Sequence, residues 1–248
     1  MSKKRIKTGD IFQINEGGSV TVIEYRSALE VIIQHNDDRK HKAIVRSYNL
    51  RLGAVKNPYR KSVCGVGFVG VGDHKVRANN KDSPAYRLWS RILQRAYTEE
   101  FHKRHPAYLC VTVCPEWMDF QLFAEWWTKE PNSDRDGFHL DKDLRISGNK
   151  EYSPRACSFV PVQVNSLLSN CSEFCGKLPQ GVTNHGKKFR ARLRVNGKRT
   201  TLAICSTPEQ AHKVYLAAKK QNVVAVAKKW ENLLHPEVVA YLSSWKPG

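Results

Sequence analysis

Acidic side chains are scarce in this chain, and scarcest where basic ones crowd. The 248 residues hold 23 Asp or Glu against 41 Lys or Arg, a formal net charge of +18 with a pI near 9.7. Between residues 176 and 230 a single acid, Glu209, stands among thirteen Lys or Arg. A generally basic surface would spread its charge more evenly, so this concentration points to an acidic partner at one place. Other absences narrow the class. There is no apolar run of spanning length and no lipidation motif, so a membrane span or anchor is not expected. The opening Met-Ser-Lys-Lys-Arg lacks a following apolar stretch and so does not read as a signal peptide, and the expected location is the cytoplasm. Gly65, Gly67, Gly70 and Gly72 lack the strand-then-helix context and the Lys-Ser/Thr of a phosphate loop. No coiled-coil heptads mark a dimer, and a homodimer is expected only if the target is palindromic.

What is present begins with a strand. From Lys188 to Val195 basic and apolar residues alternate, which puts Lys188, Arg190, Arg192 and Arg194 on one face and Phe189, Ala191, Leu193 and Val195 on the other. Cations in a row repel one another and add nothing to folding. They suit a polyanion running alongside the strand, and Lys198 and Arg199 extend the set.

With 41% hydrophobic residues the chain can build real cores, and its length allows one large domain or two to three small ones. The fold expected is α+β and multidomain. Residues 1–75 read as a small, SH3-like β-barrel, from β-branched runs at 10–14, 19–25, 30–35 and 42–46 broken at Gly17-Gly18 and Asn36-Asp37-Asp38. Residues 76–175 read as a central domain and 176–248 as a basic sheet with C-terminal helices. Ser83-Pro84 starts a helix whose apolar face is Leu88, Ile92, Leu93 and Ala96. Pro115 opens a second helix, with Trp117, Phe120, Phe123, Trp126 and Trp127 at core spacing, and Pro131 closes it. The helix after Pro208 runs to Trp230, and its tail, with Val223, Val224 and Val226, is free to pack on the central domain or on a second subunit.

Seven cysteines in a cytosolic chain read as free thiols. Cys110 with Cys114 and Cys171 with Cys175 share the spacing C-x3-C. The four could hold a structural zinc, or Cys110-Val-Thr-Val-Cys114 could simply be a strand with buried thiols.

The richest chemistry lies between Phe138 and Asn165. In a strand, His139, Asp141 and Asp143 share a face, an arrangement suited to a hard divalent cation. A turn at Ser147-Gly148-Asn149, a second strand from Cys157 and a helix carrying Asn165 complete the strand–strand–helix layout of a ββα-metal site. His102, His105 and His185 read as surface residues, with His185 close to phosphate; Arg87, Arg91 and Arg95 line a helix face that could clamp phosphate or be its wet side.

Residues 83–170 resemble the divergent HNH endonucleases of bacteriophages, through Leu140-Asp-Lys-Asp143, the turn Gly148-Asn-Lys150, Tyr152-Ser-Pro154, the apolar strand that follows and Asn165. Residues 178–222 are similar to an AP2 domain, a three-stranded sheet plus helix. The matching residues are Gly181-Val182, Phe189-Arg-Ala-Arg-Leu-Arg194, Asn196-Gly197, Leu202, Thr207-Pro-Glu-Gln-Ala211 and Tyr215, with departures at Ala203 and Cys205. The resemblance implies a Mg²⁺-dependent hydrolase of double-stranded DNA, of homing or nicking type. Two registers stand. In one, His139 is the general base with Asp141 and Asn165 as ligands; in the other, Asp141 and Asp143 are the ligands and the histidine has no role. Ala156 stands where a strand-two Asn is usual. The competing expectation is a non-catalytic DNA-binding regulator or inhibitor on a decayed nuclease fold. An RNA-binding role is disfavoured, because the exposed face from Lys188 to Arg194 carries no aromatic ring for a base to stack on.

Overall fold

The structure, a computed structural model, describes residues 5–168, 178–195 and 197–246. Its first elements form a four-stranded antiparallel meander in chain order: β1 (Ile11–Gln13), β2 (Ser19–Tyr25), β3 (Val31–His35) and β4 (Lys42–Val45), followed by the short helix α1 (Ser47–Arg51). Alternation works as expected. Val20, Val22, Val31 and Ile33 turn inward and, with Ile6, Ile14, Leu50 and Val55, make one core. The barrel expected over residues 1–75 is not formed. Four short strands are too few to close, and the chain beyond α1 leaves the sheet to join another core, so β1 and β4 remain edges.

That second core is the largest. A two-stranded ribbon, β5 (Arg77–Ala78) and β6 (Lys81–Asp82), leads into α2 (Pro84–Tyr97) and α3 (Glu99–Arg104). Ser83 caps α2 by accepting from the Tyr86 amide at 3.2 Å. Trp89, Ile92, Leu93 and Ala96 of α2 pack with Trp117, Phe120 and Phe123, so the aromatic spacing does build core. The helix expected from Pro115 is split. A 3-10 turn at Pro115–Met118 stops at Asp119, which caps α4 (Phe120–Lys129) through the Gln121 amide at 2.8 Å. The break comes from tertiary structure: the Phe68 amide donates to Met118 O and the Phe120 amide to Phe68 O, at 2.9 and 3.0 Å. Gly70, at φ +73°, lies against the Asp119 carboxylate with no room for a side chain. Arg39 joins the first sheet to this region, its guanidinium 4.7 Å from both the Tyr59 and the Phe68 ring centres.

Two further strand pairs follow: β7 (Thr112–Val113), before α4, pairs in parallel with β9 (Glu151–Tyr152), and β8 (Phe138–Asp141) pairs antiparallel with β10 (Ser158–Pro161). One turn of helix, α5 (Val162–Asn165), follows β10 directly and packs on both strands of that pair. The chain resumes in a three-stranded antiparallel sheet, β11 (Val182–His185), β12 (Lys188–Val195) and β13 (Lys198–Cys205), and ends in α6 (Pro208–Trp230) and α7 (Pro236–Ser244). The fold is thus mixed α+β, with several separate sheets and no closed barrel among the described residues.

Helix α6 touches two regions. Ala211, Val214 and Tyr215, near its start, lie under Val182 and Ala191, and the Tyr215 ring sits against Gly181, which at φ +80° has no space for a Cβ. Val223, Val226 and Ala227, near its end, pack with Leu144, Val160 and Val164 and with Val238 and Leu242 of α7. The tail of α6 therefore lies on this chain's own β8–β10 region. Among the described residues no helix is long and apolar enough to cross a membrane.

Candidate functional site

The cationic face is assembled by strand pairing. Ala191 and Leu193 are buried toward α6, which leaves Arg190, Arg192 and Arg194 on the opposite side of β12. Their cross-strand neighbours share that side: Thr183 and Ile204 flank Arg190, Thr201 lies opposite Arg192, Arg199 opposite Arg194, and His185 opposite Lys188. The pairing of Arg194 with Arg199 sets like charges directly across from each other, an arrangement that disfavours the sheet. Lys198 pairs with Val195, at the hairpin end and on the other parity from the arginines. The Arg190 guanidinium contacts His185 Nδ1, while the Nε atoms of Arg190 and Arg192 find no acceptor among the described residues. None of Lys188, Arg190, Arg192, Arg194, Lys198 and Arg199 forms an ion pair there either.

A β-bulge shapes this face. Ala191 pairs with Ala203 but Arg192 with Thr201, so Leu202 is an extra residue, and it turns into the apolar cluster beneath the sheet. Thr201 and Ile204 consequently both project outward. Sequence alternation alone would have set one of them inward, which hides this pair from the sequence; Thr183 joins the face only through the pairing of β11 with Arg190.

The carboxylate strand is built differently. His139 and Asp141 alternate on β8 with the inward-facing Leu140, and the ladder sets them opposite Val160 and Ser158. His139 is exposed and Asp141 half-buried. Asp141 Oδ1 accepts the amides of both Asp143 and Leu144 at 2.8 Å, which folds the chain into a tight Asx-type turn. Burial pushes its carboxyl pKa up, against the pull of those two amides. Asp143 does not join it. Its Oδ1 meets Lys142 Nζ at 2.6 Å, and Lys142 is itself buried, reaching Asn149 O at 3.5 Å. Asn149 clamps the same loop, donating to Lys142 O at 2.8 Å and Glu151 O at 2.6 Å. The tripeptide Asp141-Lys-Asp143 is thus largely satisfied by its own loop. Asn165 sits at the end of α5, within the same strand–strand–helix unit.

Among the described residues no group of three or more His, Cys, Asp or Glu gathers as metal ligands do. Magnesium keeps several waters and needs only one or two protein carboxylates. Asp141 offers that minimum, since its Oδ2 takes no part in the turn, and the Ser158 hydroxyl opposite it is buried without a partner among the described residues. These donors fit a cation held by one carboxylate; Asp143 is committed to Lys142.

Other sequence candidates fall elsewhere. His102 Nε2 is 3.0 Å from Arg95 O, and the His105 ring lies tilted against Phe101 and edge-on to Tyr108. Arg87 and Arg91 are exposed on α2, whereas Arg95 is half-buried against the Tyr152 hydroxyl. Cys114 belongs to the large core, where burial pushes its thiol up to about 12. Cys110 is exposed, and Cys171 and Cys175 lie outside the described residues, as does Asn196.

Two structural features bring the regions together. Arg145, one turn past Asp141, bonds Glu237 of α7 at 2.8 Å and the carbonyls of Pro154 and Cys157 at 3.2 and 3.1 Å. Between α5 and the basic sheet lies a cavity of about 1160 Å³, lined by Gln163 and Ser166, by Lys229 of α6, whose Nζ lies 3.5 Å from Gln163 Oε1, and by Arg192, Arg194 and Arg199 of the sheet. No family model, no curated protein and no solved structure matches this chain.

Proposed function

We propose that this chain is a metal-dependent endonuclease that holds duplex DNA on the outer face of β11–β13 and hydrolyses a phosphodiester beside β8. The observation that carries the reading is the row of Arg190, Arg192 and Arg194, with Arg199 opposite Arg194 and no ion pair to any of them among the described residues. A folded chain gains nothing from such a row, whereas a polyphosphate gains an ion contact at every step. The strands would enter the major groove, with the arginines divided between phosphates and guanine edges. In this reading β11–β13 with α6 is an AP2-like unit, roughly residues 176–248. The β8–β10–α5 element is the core of an HNH-like unit within 76–175, and the meander adds a further contact.

Of the chain's own groups, exposed His139 takes a proton from the attacking water, and Asp141 Oδ2 with Asn165 positions the cation. A divalent cation bound there would supply charge stabilisation to the phosphate under attack. A second reading, a non-catalytic DNA-binding regulator or inhibitor, draws on the loop just described: Asp141 supports its own turn and Asp143 is paired with Lys142.

The test incubates purified protein with supercoiled plasmid and phage-type DNA in Mg²⁺ or EDTA, beside His139→Ala and Asp141→Asn. Magnesium-dependent nicking or linearisation lost in both variants is the expected result. Loss in Asp141→Asn alone moves the centre to the register without the histidine. Tight, salt-sensitive binding with no cleavage under any divalent metal gives the second reading.

A further inference from the structure

We propose that Ile204 reads the 5-methyl group of a thymine next to the base pair contacted by Arg190, so that the recognised site contains a T·A pair beside a G·C pair. This rests on the DNA-binding reading above and names part of its target. The outer face of the sheet is polar throughout its described rows except at this residue, which is 49% exposed. Its position is fixed from both sides. The ladder pairs it with Arg190, and the bulge at Leu202 holds it outward when simple alternation from Thr201 would not. It lies on β13, an edge strand of the β11–β12–β13 sheet, so no strand beyond it covers the side chain.

The row across the sheet therefore reads Thr183, Arg190, Ile204: a hydroxyl, a guanidinium and an aliphatic tip. The contact between Arg190 and His185 draws the guanidinium toward β11 and leaves the Ile204 end open. Directly opposed side chains stand about 4.5–5.5 Å apart at Cβ, and successive base pairs are separated by about 3.4 Å. An arginine and an isoleucine in one row thus meet the same or adjacent base pairs. In the major groove guanine offers two acceptors to an arginine, and the thymine methyl is the apolar group on a base edge that an aliphatic side chain can cover.

The experiment uses the full chain in EDTA. A tight-binding duplex is first selected from a random-sequence pool, and each thymine in it is then replaced singly by uracil, which deletes only the methyl group. The wild type is expected to lose affinity about fourfold at one position, next to the pair whose change is felt through Arg190→Ala. Ile204→Ala, which removes an exposed side chain and should melt as the wild type does, is expected to bind the thymine and uracil duplexes equally. Insensitivity of the wild type to every uracil, or an unchanged uracil penalty in Ile204→Ala, overturns the proposal and leaves Ile204 to some other contact. Failure to select any duplex overturns the DNA-binding reading itself, and this inference with it.

Discussion

The basic sheet and the carboxylate strand treat charge in opposite ways. Around β8, buried Lys142 holds Asp143, Asp141 caps its own turn, and Arg145 spends its donors on Glu237 and two carbonyls. Around β12 the cations have no carboxylate partners among the described residues, and Arg194 faces Arg199. Charge that is paired internally is explained by folding. Charge left unpaired on a sheet face is not, and it carries the functional reading further than the aspartates do.

The sharpest way to break the contrast is Asp141→Asn. Asparagine keeps an Oδ1 for the two amides, so the melting temperature should hold or rise once a carboxyl with a raised pKa is gone. Plasmid cleavage should fall by about 10²-fold or more if that carboxylate positions the cation. Unchanged cleavage would leave Asp141 a purely structural residue. Next in size is Arg192→Ala, expected to cost about 1–3 kcal/mol of affinity for the selected duplex while mismatched duplexes lose less. Equal losses for every sequence, measured by titration at several salt concentrations, would make Arg192 a phosphate contact only.

Arg145→Ala tests the paired side of the comparison. It strands two carbonyls beneath α7, and the expected loss is about 1–2 kcal/mol of stability in denaturant unfolding. Glu237→Gln, at an exposed position, should change stability little. The smallest effect is one of pH. His35 is buried among the first sheet's strands with Nε2 lacking a partner among the described residues, and burial lowers its pKa from the usual value near 6.5. The unfolded chain then binds this proton more readily than the folded one. The contribution to stability is full above pH 6.5 and declines as pH falls toward the depressed folded value. His35→Phe should flatten that slope in melts of the full chain between pH 7 and 5.

Much of the local structure was legible. The alternation of Lys188–Val195, the cap at Ser83, the Thr207-Pro208 start of α6 and the strand at His139–Asp141 all follow from periodicity and capping, which act over a few residues. The split at Asp119 was hidden because it depends on Phe68, far away in sequence, inserting its backbone. The open meander was hidden because strand runs do not say whether a sheet closes. The bulge at Leu202 was hidden because both Leu202 and Ala203 suit the inner face, and nothing local shows that they share it. Lys142 reads as a solvated charge until the loop folds over it.

The sequence by itself determined that positive charge accumulates in one stretch and that a strand there segregates it onto one face, since both depend only on residue order and a period of two. Tertiary structure decided which neighbours join that face, that Asp143 pairs with Lys142, and that the tail of α6 packs on the β8–β10 region. Each of those requires segments distant in the chain to meet, and only the packing of whole elements brings them within reach.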